Sequence, residues 1–201
     1  MKLYYSPGAC SLAAHILVCE TDLAVDLIKV DLASKTTDTG DDFRKINPNG
    51  YVPALLLDDG QCLTEIPAVM QYLGDLAGKS DWIPSADLFE RYRLQQWFGF
   101  IGTELHKNFS PLFNPSAHEA VKQYASQMLT IRLDTVAEQL SSRLYLLGND
   151  FSAADAYLFV VLSWARYVDF DLSRWPVFTR YCDRIAERPS VRQAMHEEGL
   201  I

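Results

Sequence analysis

Cys10 is the residue whose type and position offer the most chemistry. Met1-Lys2-Leu3-Tyr4-Tyr5 reads as a short strand, Ser6-Pro7-Gly8 breaks it, and Cys10-Ser11 opens an apolar helix through Leu12, Ile16 and Leu17. A thiol at a helix amino terminus meets unpaired amides and the positive end of the helix dipole. Both favour the thiolate, the form that attacks disulfides and electrophiles. A cysteine packed as a small buried hydrophobe is compatible with the same spacing.

Three further patterns could bind or activate a ligand. In Asn47-Pro48-Asn49-Gly50-Tyr51-Val52-Pro53-Ala54-Leu55, Pro53 sits where a buried strand begins and cannot donate to its ladder. A cis Val52-Pro53 bond would present backbone groups to an extended ligand, and a trans proline at a strand start fits as well. Thr64-Glu65-Ile66-Pro67 launches a helix with proline near its first position. That terminus suits a carboxylate, and Glu65 beside it suits an ammonium group, although Thr64 or Glu65 as a plain cap explains the same residues. Lastly, Gly99, Gly102, Thr103 and His106 fall at i, i+3, i+4 and i+7, giving one helix a face of small and polar groups beside the apolar stripe of Trp97, Ile101 and Leu105. Two glycines in one helix call for close approach by a ligand or a neighbouring helix.

The elements that must position these residues change character once. Up to about Leu76, strand-like runs (Lys2-Tyr5, Leu27-Val30, Ala54-Leu57, Gln61-Leu63) alternate with helical ones (Ser11-Cys19, Asp41-Ile46, Pro67-Leu76), as in an α/β unit. Asp58-Asp59-Gly60 reads as a hairpin turn. Ala77-Gly78-Lys79-Ser80-Asp81 reads as a linker anchored by Trp82-Ile83-Pro84, giving domains at 1–78 and 85–201. Beyond it, helices are expected at 88–109, 117–140, 153–168 and 176–188, with a short one after Pro189. Phe151-Ser152-Ala153-Ala154-Asp155 has the spacing of a capping box with a hydrophobic staple, so Asp155 is read as structural.

Composition narrows the function. A chain of 201 residues with 49% hydrophobic content can bury a sizeable core. A net charge of -8 without clustered Lys and Arg argues against nucleic acid. No apolar run spans a bilayer and no signal peptide is evident, so a soluble cytoplasmic protein is expected. Cys10, Cys19, Cys62 and Cys182 show neither metal-ligand nor disulfide spacing, so no metal is implied.

The motifs Tyr5-Ser6-Pro7-Gly8-Ala9-Cys10-Ser11, Asn47 to Pro53, and Thr64-Glu65 followed by Ala68-Val69-Met70-Gln71-Tyr72-Leu73 resemble the amino-terminal domain of cytosolic glutathione transferases. The cysteine makes the chain similar to the bacterial beta class, and the likeness continues through Thr103-Glu104-Leu105-His106-Lys107, Ser110-Pro111-Leu112-Phe113, Asp155 to Phe159 and Ala186-Glu187-Arg188-Pro189. The resemblance implies an α/β thioredoxin-like domain that binds glutathione, an all-α domain that takes a hydrophobic electrophile, and a detoxifying homodimer. It implies that Val52 pairs its main chain with the cysteinyl part of glutathione beside a cis Pro53. Glu65 and the N–H of Ile66 take the γ-glutamyl end, and Lys35 takes the glycyl carboxylate. Gly99, Thr103, Glu104, His106 and Lys107 are implied contacts from the helical domain, with His106 directed at the thiol. Cys10 is the expected catalytic residue, with Ser11 and then Tyr5 as hydroxyl alternatives, and His106 is counted with them as catalytic.

Two positions depart from the family. Ile66 stands where Ser or Gly is usual, which removes one hydroxyl hydrogen bond, about 1 kcal/mol or roughly fivefold in affinity, and adds bulk. Gly99 stands where the class tends to have Asn. Ala13 also removes the C-x-x-C pair, so a mixed disulfide on Cys10 must be resolved by external glutathione. A carrier with a weakened glutathione site, and a glutathione-dependent isomerase or dehalogenase, are the other readings these residues permit.

Overall fold

The computed structural model describes all residues, Met1–Ile201. It divides into one unit of residues 1–83 with 187–201 and a second of residues 84–186. The expected split at 78 and 85 is therefore corrected at the far end, where the last fifteen residues return to the first unit.

The first unit is built on a five-stranded sheet of order β3-β2-β1-β4-β5. β1 (Lys2–Tyr5) runs parallel to β2 (Asp26–Asp31) through a crossover containing α1 (Ser11–Cys19). β3 (Thr36–Thr37), β4 (Ala54–Leu56) and β5 (Cys62–Thr64) are antiparallel to their neighbours. β3 has no counterpart among the expected strands, because two threonines in a polar stretch give no alternation to read. Asp41-Ile46, expected as a helix, forms only a 3-10 turn at Phe43–Lys45, with the Asp42 carboxylate accepting from the Arg44 N–H.

Strand periodicity sends Leu3 and Leu55, paired in register, to one face. Tyr4 and Ala54 go to the other, where they join Val30, Phe43 and Val52 in a small core. Helix α1 is buried from Ser11 to Leu17, as a helix apolar on all sides must be. It packs on β1, on α2 (Ile66–Leu76) and on α8 (Pro189–Glu197). Gly74 in α2 is required by packing, since a Cβ there would collide with Ile83. Trp82 and Ile83 are both buried, which anchors the linker as its apolar residues suggest.

The second unit is helical: α3 (Phe89–Phe100), a π-helical segment (Ile101–His106), α4 (Lys107–Phe113), α5 (Glu119–Ser141), α6 (Ala153–Ser163) and α7 (Pro176–Ala186). Every α6 residue from Ala153 to Leu162 is buried. Its start carries the expected capping box. Asp155 is fully buried and accepts from the N–H groups of Leu146 and Ser152 and the hydroxyls of Ser152 and Tyr181. Burial pushes its carboxyl upward while these donors oppose the rise. The helix expected over 153–168 tightens at Trp164–Tyr167 into a 3-10 turn. No helix is long and apolar enough to cross a membrane.

Candidate active site

The turn before α1 places the thiol. The Ala9 N–H donates to the Ser6 carbonyl at 3.0 Å, and Cys10 stands at the N-cap of α1. Its Sγ, in a side chain only 8% exposed, donates to the Val52 carbonyl at 3.3 Å. The Val52-Pro53 peptide is cis. The sulfur thus lies at the helix start, yet the partner it takes there is a carbonyl on the facing loop rather than an amide of its own helix. That contact uses the S–H form.

The two hydroxyl alternatives separate. Ser11 is fully buried, and its Oγ accepts from the Ser6 N–H at 3.2 Å and donates to the Ser6 carbonyl at 3.4 Å. It holds the turn together and is turned away from solvent. Tyr5 is half-buried at the end of β1, and burial, followed by Glu198, Asp38 and Glu197, raises its phenol. It keeps its proton at neutral pH, so its hydroxyl is available as an O–H donor.

Two strained residues border the same loop. Lys35 has φ 61°, donates from Nζ to the Gly50 carbonyl at 2.9 Å, and lies 5.3 Å from the centre of the Tyr51 ring. Its methylenes need the bare Cα of Gly50, where a Cβ would come within 3.1 Å of Lys35 Cδ. Asn47 fixes the loop from inside, donating from Nδ2 to the Tyr51 carbonyl at 2.7 Å. On the other side Ala54 pairs with Thr64, so Glu65 follows directly beside Pro53. Glu65 has φ 67° and ψ 120°, and its exposed carboxylate makes no cap bond to its own helix. A non-glycine residue in such a conformation costs about 1–3 kcal/mol. The capping explanation for Glu65 therefore gives way to an outward-facing carboxylate. Ile66 is 4% exposed, so its extra bulk is packed inside the unit.

In the helical unit His106 ends the π segment. Its Nδ1 lies 2.7 Å from the Tyr157 hydroxyl, and its ring meets Trp164 edge-on at 4.6 Å. Burial, then the charge of Lys107, lower its pKa to about 4, so it is a neutral imidazole at physiological pH. The extra residue of the π turn, invisible to a 3.6-residue reading, is a feature that recurs at functional sites. A Cβ at Gly99 would meet nothing within 4 Å, and one at Gly102 would meet only the Tyr157 hydroxyl at 3.8 Å, so of the two expected causes a neighbouring helix does not account for these glycines. The Thr103 hydroxyl donates back to the Gly99 carbonyl at 3.0 Å. Glu104 is tied to Arg132 of α5 at 2.6 Å, a helix-helix bond that occupies the carboxylate, while Lys107 is exposed.

Sequence reasoning passed over His15. This fully buried imidazole bonds through Nδ1 to Glu198 Oε1 at 3.0 Å and through Nε2 to Glu197 Oε2 at 2.7 Å. Burial alone would lower its pKa, but the Cys19, Glu198 and Glu197 side chains outweigh that and hold it up at about 10. Glu198 Oε2 also accepts from the Gly8 N–H at 2.8 Å, two residues before the thiol. The partners lie more than 180 residues away, so no local signal could have paired them.

Two family models match: glutathione S-transferase, N-terminal domain, over residues 8–76, and glutathione S-transferase, C-terminal domain, over residues 100–189. The chain is 44% identical to glutathione S-transferase GstA of Escherichia coli O157:H7, covering all of both chains. It superposes with a TM-score of 0.96 and 46% identity on the bacterial beta class glutathione S-transferase of Sphingomonas chungbukensis, covering all of both chains. A sphingomonad glutathione S-transferase solved in complex with glutathione is equally complete in coverage, with a TM-score of 0.95 and 43% identity.

Proposed function

The chain belongs to the glutathione S-transferase family, and on that premise we propose that it joins the sulfur of glutathione to hydrophobic electrophiles at the Cys10 turn and also carries out thiol transfer through Cys10. The single observation that carries the reading is the 3.3 Å contact between Cys10 Sγ and the carbonyl of Val52, next to a cis proline. It puts a nucleophilic atom against backbone that lies outside the β1-β4 ladder, which resumes only at Ala54, and that could pair with an extended peptide.

The groups around that edge suit glutathione's charges. The outward Glu65 carboxylate and the N–H at Ile66, at the start of α2, match the ammonium and carboxylate of a γ-glutamyl end. Lys35, immobilised on the Gly50 carbonyl, is the cation available for the glycyl carboxylate. Val52 pairs with the cysteinyl portion, which delivers the thiol beside Cys10. In conjugation the bound thiol gives up its proton, its sulfur attacks the electrophilic carbon, and the leaving group departs with the bonding pair. In thiol transfer the Cys10 thiolate attacks a mixed disulfide of glutathione. A Cys10-glutathione disulfide forms and the released thiolate takes a proton. A second glutathione thiolate then regenerates Cys10 and leaves as oxidised glutathione, the step that Ala13 cannot supply.

The neutral His106, bounded by Tyr157 and Trp164, supplies an apolar and hydrogen-bonding surface of the kind an electrophile uses. Homodimerisation and a cytoplasmic location accord with the family. Cys10→Ser tests the reading: glutathione-dependent reduction of a mixed disulfide should disappear, while glutathione binding measured by calorimetry stays within about fivefold, because one buried contact of about 1 kcal/mol is altered. Undiminished disulfide reduction in that variant would remove Cys10 from the mechanism.

A further inference from the structure

Three metal-competent donor atoms converge where the two ends of the chain meet, away from the groove at Val52. His15 and Cys19 are four residues apart on α1 and so share a face of the helix. Glu197 reaches them from the last turn of α8. His15 Nε2 is 2.7 Å from Glu197 Oε2, Cys19 Sγ is 3.9 Å from the same oxygen, and the three donor atoms all lie within 4.8 Å of one another. The remaining imidazole nitrogen, Nδ1, is held by the buried carboxylate of Glu198. That carboxylate-histidine pairing orients metal-bound imidazoles in known sites.

We propose that His15 Nε2, Cys19 Sγ and a Glu197 carboxylate oxygen form a binding site for a zinc-like divalent cation, with one position left for water. A thiolate, an imidazole and a carboxylate in one cluster favour zinc over magnesium or calcium, which prefer oxygen alone. Bonds of about 2.0–2.1 Å to nitrogen and oxygen require an N···O separation of roughly 3.3 Å in a tetrahedral site. The present 2.7 Å must therefore open slightly. Glu197 can yield, because its side chain is 38% exposed, and that same exposure gives the ion its entry.

The exchange balances in charge. With a carboxylate on each side, His15 carries a proton on both nitrogens. The cation displaces the proton on Nε2 and the proton on the Cys19 thiol, both of which pass to solvent, and the net charge of the cluster is unchanged. The bound ion would tie α1 to α8 and, through Glu198 and the Gly8 N–H, to the turn that carries Cys10. The ordinary alternative is that these groups form an ion-pair clamp and nothing more.

Cobalt(II) titration of the full chain in glutathione-free buffer decides between them, with Cys10→Ser and Cys62→Ser as backgrounds that remove competing thiols. Stoichiometric binding at micromolar cobalt is expected, with a thiolate-to-cobalt charge-transfer band, visible bands of tetrahedral cobalt, and displacement by zinc. Cys19→Ser should abolish the charge-transfer band and weaken binding about 100-fold or more, and Glu197→Gln should weaken it about 10- to 100-fold. Both positions are partly exposed, and circular dichroism verifies that the variants fold. Zinc should also raise the melting temperature of the unmodified chain but not that of Cys19→Ser. A charge-transfer band that survives in Cys19→Ser, or no saturable cobalt binding in the two backgrounds, would overturn the site and leave the clamp.

Discussion

Two histidines, His15 fully buried in the first unit and His106 partly buried in the second, have been driven in opposite directions by their surroundings. His15 of α1 is flanked by Glu197 and Glu198 and held as an imidazolium, with a pKa raised to about 10. His106 of the π segment faces the Tyr157 hydroxyl and the Trp164 ring and is held neutral, with a pKa lowered to about 4. Burial acts on both in the same sense, toward the uncharged form. What differs is whether carboxylates accompany the ring into the interior. The first unit uses its histidine as an ionic tie between the ends of the chain, and the helical unit uses its own as an uncharged hydrogen-bonding group in an aromatic wall.

Removing each ring should expose the contrast most strongly. His15→Leu strands the fully buried Glu198 carboxylate without its cation, a loss of about 3–5 kcal/mol in denaturant unfolding. Acid titration separates the two sites further. The unfolded chain protonates a histidine near pH 6.5, whereas folded His106 resists until about 4. As pH falls through that window the unfolded state gains a proton the folded state refuses, so stability present above pH 6.5 is lost, by about 3 kcal/mol at pH 4. His106→Asn should flatten that slope, and an unchanged profile would mean that His106 is not the group responsible. His106→Leu, with no counter-charge left behind, should itself cost only about 1–2 kcal/mol, mainly the bond to Tyr157. Equal losses for the two leucine variants would erase the distinction drawn here.

The smallest effect concerns strain at the groove. Glu65→Gly relieves the positive φ and should raise stability by roughly 1 kcal/mol, while glutathione binding measured by calorimetry weakens. A variant that is no more stable would show that the backbone at Glu65 is held without cost.

Much of the turn around Cys10 was legible because its signals are local. Strand, turn, cysteine and apolar helix occur in consecutive residues, and α1 begins and ends at the expected Ser11 and Cys19. The capping box at Ser152 and Asp155 depends on three-residue spacing and appears as expected. Where the reading failed, the cause was action at a distance or a departure from regular period. Ser11 has the right type beside Cys10, but the turn draws its hydroxyl back to Ser6. Nothing local foretells that Lys35 bonds to the Gly50 carbonyl, fifteen residues away. The glycines of the long helix suggest crowding, yet Gly99 has open space beside it.

By itself the sequence determined most of the strands and helices, where the thiol stands on its helix, and the family its motifs resemble. The elements follow from periodicity, capping and turn chemistry acting over a few residues, and the family from motifs that resemble it. Only the tertiary structure decided the charge states of His15 and His106, the return of α8 to the first unit, and the carbonyl that the Cys10 sulfur meets. Those outcomes depend on which groups from distant parts of the chain share a low-dielectric interior, where one carboxylate more or less reverses the preferred protonation state.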